Sequence, residues 1–107
     1  MTKVEYDEKT LTLEVSGHAN YGPFGSDIVC SAVSVLSQTL LANLMKYMDK
    51  GWFTMEYDNT DGEMYIHCKV NGYYSMVVEM FRFTLVGYRM LEEAFPNHVK
   101  VYEREGE

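Results

Sequence analysis

Two side chains in this sequence have the type and the setting for nucleophilic chemistry: a thiol at Cys30 and an imidazole at His18. A thiolate is a strong nucleophile, but a free thiol titrates near about 8.5 and is mostly protonated in a cell. Two surroundings change that. The first turn of a helix favours the anion, because backbone amides and the helix dipole stabilise negative charge there. A neighbouring imidazole takes the proton and later returns it to a leaving amine. The run Gly17-His18-Ala19-Asn20-Tyr21-Gly22-Pro23-Phe24-Gly25-Ser26-Asp27-Ile28-Val29-Cys30 offers both, between a strand pattern and a helix pattern. Gly22 and Gly25 let the chain fold back so that His18 approaches Cys30, and let it open for substrate. As bare residue types the pair is weak evidence, since unpaired cysteines are commonly buried and inert.

The elements that must position the pair follow from hydrophobic periodicity. Thr2–Tyr6 and Leu11–Ser16 alternate, with Val4, Tyr6, Leu11, Leu13 and Val15 on one face. The polar tetrad Asp7-Glu8-Lys9-Thr10 joins them as a hairpin. From Ser26 or Asp27 to about Lys50 the spacing of Val29, Val33, Leu36, Leu40 and Leu44 is helical. Either Ser26 or Asp27 can cap this helix, and an Asp27 cap makes Cys30 its third residue. A second hairpin is expected from Trp52–Tyr57 and Met64–Val70 around Asn59-Thr60-Asp61-Gly62. A second helix runs from about Tyr73 to Phe95, where Pro96 stops it. Val99 and Val101 mark a short last strand before a charged tail. The predicted fold is α+β in the order β-β-α-β-β-α-β, a largely antiparallel sheet packed with two long helices. It forms a single domain over residues 1–107. Both helices are apolar over more than one face, which predicts a homodimer that buries Met76, Met80, Phe83 and Met90.

Composition narrows the functional classes. The formal charge of −7 argues against nucleic acid as a direct partner, because that affinity comes from Lys and Arg on phosphates. The same charge attracts a basic protein or peptide. Glu5, Asp7, Glu8 and Glu14 leave no apolar signal region near the start. No apolar run reaches the ~18 residues of a membrane span, and the richest, Met76–Leu91, is broken by Glu79, Arg82 and Arg89. No membrane partner is therefore expected. Cys30 and Cys68 make neither a disulfide framework nor a metal-ligand spacing, so reduced thiols, a cytoplasmic setting, no metal and no cofactor are expected. A phosphatase is excluded because no Arg follows Cys30 to hold phosphate; Leu36 stands where one is needed. Cys68 shares a strand face with Ile66 and Val70 and reads as core. His67 points the other way, to solvent or a dimer contact, and His98 reads as a surface residue. Trp52, Phe53 and Tyr57 read as core and sheet surface.

The stretch from Gly17 to Ser34 resembles the signature of the ribosomal-processing cysteine proteases. That signature reads Gly-His-Ala, a loop with Tyr and Gly, then Gly-x-Asp-Ile-Val-Cys followed by small residues, Val and Ser. The matching positions are Gly17, His18, Ala19, Tyr21, Gly25, Asp27, Ile28, Val29, Cys30, Ala32, Val33 and Ser34. Ser31 departs from the commoner Ala, and Pro23 and Phe24 bear on substrate fit or loop mobility. The resemblance implies a small dimeric bacterial endopeptidase that removes the N-terminal extension of large-subunit ribosomal protein number twenty-seven. By carry-over, Cys30 is the nucleophile and His18 the general base and acid, while Asp27 either orients His18 or only caps the helix. Gly17, Ala19, Tyr21, Gly22, Gly25 and Ser34 are expected to bind substrate or orient the site. The oxyanion is expected to be held by amides of the helix N-terminus, that of Cys30 included. The alternative from another class is a non-catalytic dimeric adaptor for a basic ribosomal protein or assembly factor, which needs no ionised Cys30.

Overall fold

Alternation of apolar and polar residues gives most of the strands one buried face, and hydrogen bonding assembles them into one five-stranded sheet. The computed structural model describes residues 1–23, 25–60, 63–72 and 74–104. The elements are β1 (Thr2–Asp7), β2 (Thr12–Ser16), α1 (Ile28–Met48), β3 (Phe53–Thr60), β4 (Glu63–Val70), α2 (Tyr74–Ala94) and β5 (Val99–Arg104). Their order in the sheet is β3-β4-β2-β1-β5. The β1–β2, β2–β4 and β3–β4 pairs are antiparallel, and β1–β5 is parallel. The fold is therefore α+β with a mixed sheet in the predicted order of elements.

Register explains why one face is buried. Val4 lies opposite Val15, and Leu13 opposite both Tyr6 and Ile66, so like faces line up across three strands. Both chain crossovers carry a helix, and right-handed connections put the two helices on the same side of the sheet. There Val29, Leu40, Leu41 and Leu44 of α1 and Val77, Phe81, Leu85 and Tyr88 of α2 join the strand residues in one core. A hydroxyl pair crosses that core: Ser37 and Tyr88 oxygens lie 2.7 Å apart, and Ser37 also donates to the Val33 carbonyl at 2.8 Å. Burial pushes the Tyr88 phenol up to about 12, with the Ser37 hydrogen bond working against it.

Two differences from the sequence expectations have physical reasons. β3 continues to Thr60, where Asn59 and Thr60 pair with Met64 and Glu63. Its last residues are exposed, so ladder hydrogen bonds rather than burial hold them, and hydrophobic alternation carries no sign of that. The expected turn residues Asp61 and Gly62, the predicted helix start at Tyr73, the loop residue Phe24 and the tail at 105–107 lie outside the described residues. Contrary to the expectation that no apolar run reaches a membrane span, α1 is long and apolar enough to cross one by length and composition. Its richest 18-residue window has a mean hydropathy of 1.7, whereas the stretch at 76–91 is the one expected to be richest. Val29, Val33, Leu40, Leu41 and Leu44 carry the part of that apolar surface that packs in the core, while Ile28 and Val35 stay exposed.

Candidate active site

The nucleophile candidate is placed by the way α1 begins. Asp27, not Ser26, is the N-cap, in extended backbone geometry, and Cys30 is the third helical residue. Its carboxylate is a four-way clasp. Oδ1 accepts from the amides of Val29 at 2.9 Å and Cys30 at 3.0 Å. Oδ2 accepts from Tyr21 at 2.8 Å and Gly22 at 3.1 Å. Desolvation works to raise this carboxyl, but the four amide donors outweigh it and hold it at about 2. Asp27 therefore caps the helix and also draws the preceding loop onto it.

This clasp corrects one expectation. The Cys30 amide that was to hold an oxyanion is already committed to Asp27, and so is that of Val29. The Ser31 amide is taken by the Asp27 carbonyl at 3.0 Å. The donor that addresses the sulfur comes from the loop instead: the Ala19 amide points at Cys30 Sγ over 3.2 Å. Cys30 is half-buried, open enough to be reached. Cys68 is the contrast, 3% exposed in the core, with burial pushing its thiol up to about 12.

His18 reaches the same place from β2. Gly17 turns the chain at φ +81, where a Cβ would lie only 2.4 Å from the Met1 carbonyl oxygen. Only glycine fits that approach, and the turn leaves His18 exposed and the next residue, Ala19, buried. His18 and Cys30 line one cleft of about 790 Å³, walled by the loop, one side of α1 and the β3–β4 hairpin. Gly17, Gly22, Gly25, Asp27 and Ser34 also line it. Ala19 and Tyr21 stand behind the wall, Ala19 as the amide donor and Tyr21 with its ring turned against Phe95 and His98. Across the cleft, the Gln38 and Asn59 side-chain amides pair reciprocally at 2.8 and 3.0 Å and tie α1 to β3.

His98, expected at the surface rather than as a ligand, has tertiary partners that the sequence did not reveal. It is half-buried, its Nδ1 lies 2.8 Å from the Ala19 carbonyl oxygen, and Tyr21 packs edge-on against its ring. A separation of 79 residues carries no local pattern that could have revealed this. The Gln38–Asn59 pair was missed for the same reason.

A half-buried thiol at the start of a helix, sharing a cleft with a loop imidazole on an α+β scaffold, marks the chain as a small cysteine protease. Residues 1–100 match the family Cysteine protease Prp, and the chain belongs to it. Its fold is similar to that of the essential ribosomal processing protease Prp from S. aureus. With a covalently linked product peptide, that structure matches at 20% identity and a TM-score of 0.77, covering 97% of this chain and all of the other. With a substrate peptide it matches at 19% identity and a TM-score of 0.72, with the same coverage. SMU.848 from Streptococcus mutans matches at 28% identity and a TM-score of 0.65, covering 96% of this chain and 91% of the other. No curated protein matches the chain.

Proposed function

We propose that this cysteine protease is a ribosomal-processing endopeptidase that removes the N-terminal extension of large-subunit ribosomal protein number twenty-seven. The observation that carries the reading is the cleft shared by His18 and Cys30 in a chain of this family. Its similarity to a protease named for ribosomal processing supplies the substrate class. Charge supports it too. Among the described residues lining the cleft there is no Lys or Arg, while Glu63 is present and the chain carries −7, which suits a basic protein substrate.

The chemistry then runs as follows. His18 takes the Cys30 proton, and the thiolate attacks the scissile carbonyl carbon to form a C–S bond. The Ala19 amide stabilises the sulfur before attack and is a donor at hand for the charge that develops beside it. His18 returns the proton to the departing amine, the C–N bond breaks, and water hydrolyses the thioester to release the acid and restore the thiol. Asp27 holds the loop and the helix start in one frame while this happens. The adaptor alternative has no need for a half-buried thiol that lines a cleft with an amide aimed at it.

The enzyme is further read as a cytoplasmic homodimer. Phe83 is 83% exposed and Met90 66% exposed on α2, and Met76 and Met80 are half-buried beside them. Light scattering at micromolar concentration tests the dimer; a monomer refutes it. The function is tested by incubating the extended ribosomal protein with the wild type and Cys30→Ala and weighing the products intact. A single cut by the wild type alone is expected. Binding without a cut by either protein would overturn the protease reading for this substrate.

A further inference from the structure

Around the thiol the loop is held from two sides, and only one of them is Asp27. The other is the corner between α2 and β5. His98 sits there in a rigid setting: its amide donates to the Phe95 carbonyl at 2.9 Å, and its carbonyl accepts from Thr2 at 2.9 Å. Its ring turns toward the loop, with Nδ1 2.8 Å from the Ala19 carbonyl oxygen. A carbonyl only accepts, so Nδ1 carries the hydrogen and donates it. The Tyr21 ring closes over this contact, edge-on to His98 at 5.3 Å and to Phe95 at 5.1 Å between centroids. The residue whose carbonyl His98 holds is the residue whose amide meets Cys30 Sγ.

We propose that His98 is a positioning residue of the thiol site, fixing Ala19 so that its amide stays aimed at the Cys30 sulfur. Ala19 has two soft backbone angles, and its side chain is a single buried methyl group. Asp27 anchors the chain only from Tyr21 onward. Without a hold on the Ala19 carbonyl, the amide swings away from the sulfur, and a thiolate formed there loses its hydrogen-bond donor. His98 thus acts on the reaction through Ala19 and touches no reacting atom. It also links the site to β1 and β5, remote from the helix that carries the cysteine.

The inference rests on the reading of Cys30 as the nucleophile, so its first test needs no peptide. Iodoacetamide alkylation of Cys30 is followed by intact mass and peptide mapping at neutral and at high pH. Three variants separate the contacts: His98→Ala removes both, His98→Phe keeps a ring against Tyr21 without the donor, and His98→Asn keeps a donor without the ring. At neutral pH the Ala and Phe variants should alkylate about tenfold more slowly than the wild type. At high pH, where any accessible thiol ionises, they should match it. His98→Asn should stay within about threefold of the wild type at both. In peptide cleavage, kcat of the Ala and Phe variants should fall about tenfold to a hundredfold with little change in KM. Wild-type alkylation rates in the Ala and Phe variants overturn the proposal. So does a His98→Asn variant that melts like the wild type but reacts like His98→Ala. If the alkylation pattern holds while no variant, nor the wild type, cuts the ribosomal protein, the positioning role stands and the substrate reading fails.

Discussion

Cys30 rides on α1, whose first turn is clasped by Asp27 and whose body carries Val29, Val33, Leu40, Leu41 and Leu44 in the core. His18 sits instead on an exposed loop, one residue after a glycine turn and one before a buried alanine. The two groups share a cleft but are held by unlike means. The thiol is fixed by helix packing, where movement would cost burial of several large side chains at about 1.5–3 kcal/mol each. The imidazole is fixed by backbone geometry at a few loop positions. On the proposed reading this division puts the nucleophile on a packed helix and the acid and base on the loop that borders the same cleft.

The largest effects should come from the two groups themselves. Cys30→Ala should abolish cleavage with an unchanged thermal midpoint, and retained turnover would sink the mechanism. His18→Ala should cut kcat by about 10²–10⁴-fold, the range for a lost general base, and leave the melting curve in place. A His18 variant with near wild-type kcat would mean that the loop does not supply the base.

A matched glycine pair sharpens the contrast between helix and loop. Gly17 and Gly25 both have left-handed backbone, at φ +81 and +88, so alanine costs about 1–2 kcal/mol at either from conformation alone. At Gly17 the added Cβ also strikes backbone, at Met1, while among the described residues nothing lies within 4 Å at Gly25. Gly17→Ala should therefore displace His18 and lower kcat by about a hundredfold, and Gly25→Ala should change it only a few-fold. Equal effects in steady-state kinetics would show that conformational strain, not the close approach, decides.

Acid titration probes the clasp between the two regions. With Asp27 held at about 2 against an ordinary 3.8, its contribution to stability is complete above 3.8 and is lost as pH falls toward 2. Asp27→Asn should flatten the stability curve in that window, and an unchanged slope in acid denaturation would count against the clasp. The smallest effect is confined to the core: Ser37→Ala strands the Tyr88 hydroxyl and should cost about 1–3 kcal/mol in urea unfolding. A neutral result would mean that the pair contributes no net stability.

What the sequence determined is local. The alternation in 2–6 and 11–16 fixed two strand faces, and the spacing of Val29, Val33, Leu40 and Leu44 fixed a helix that either Ser26 or Asp27 could cap; the structure chose Asp27. The Gly17–Ser34 motif named the thiol and the imidazole, because a chemistry that depends on a loop running into a helix start is written in consecutive residues. What only the tertiary structure decided is which distant groups meet the loop. The parallel pairing of β1 with β5 brings His98 beside Ala19, and the β3–β4 hairpin brings Asn59 to Gln38. The structure also turned the Cys30 amide from an expected oxyanion donor into a ligand of Asp27 and gave the sulfur an amide from Ala19 instead. Periodicity records which face of an element is buried, because burial acts on each residue singly. Hydrogen bonds across 79 residues depend on strand order and crossover path, which no short window of sequence contains.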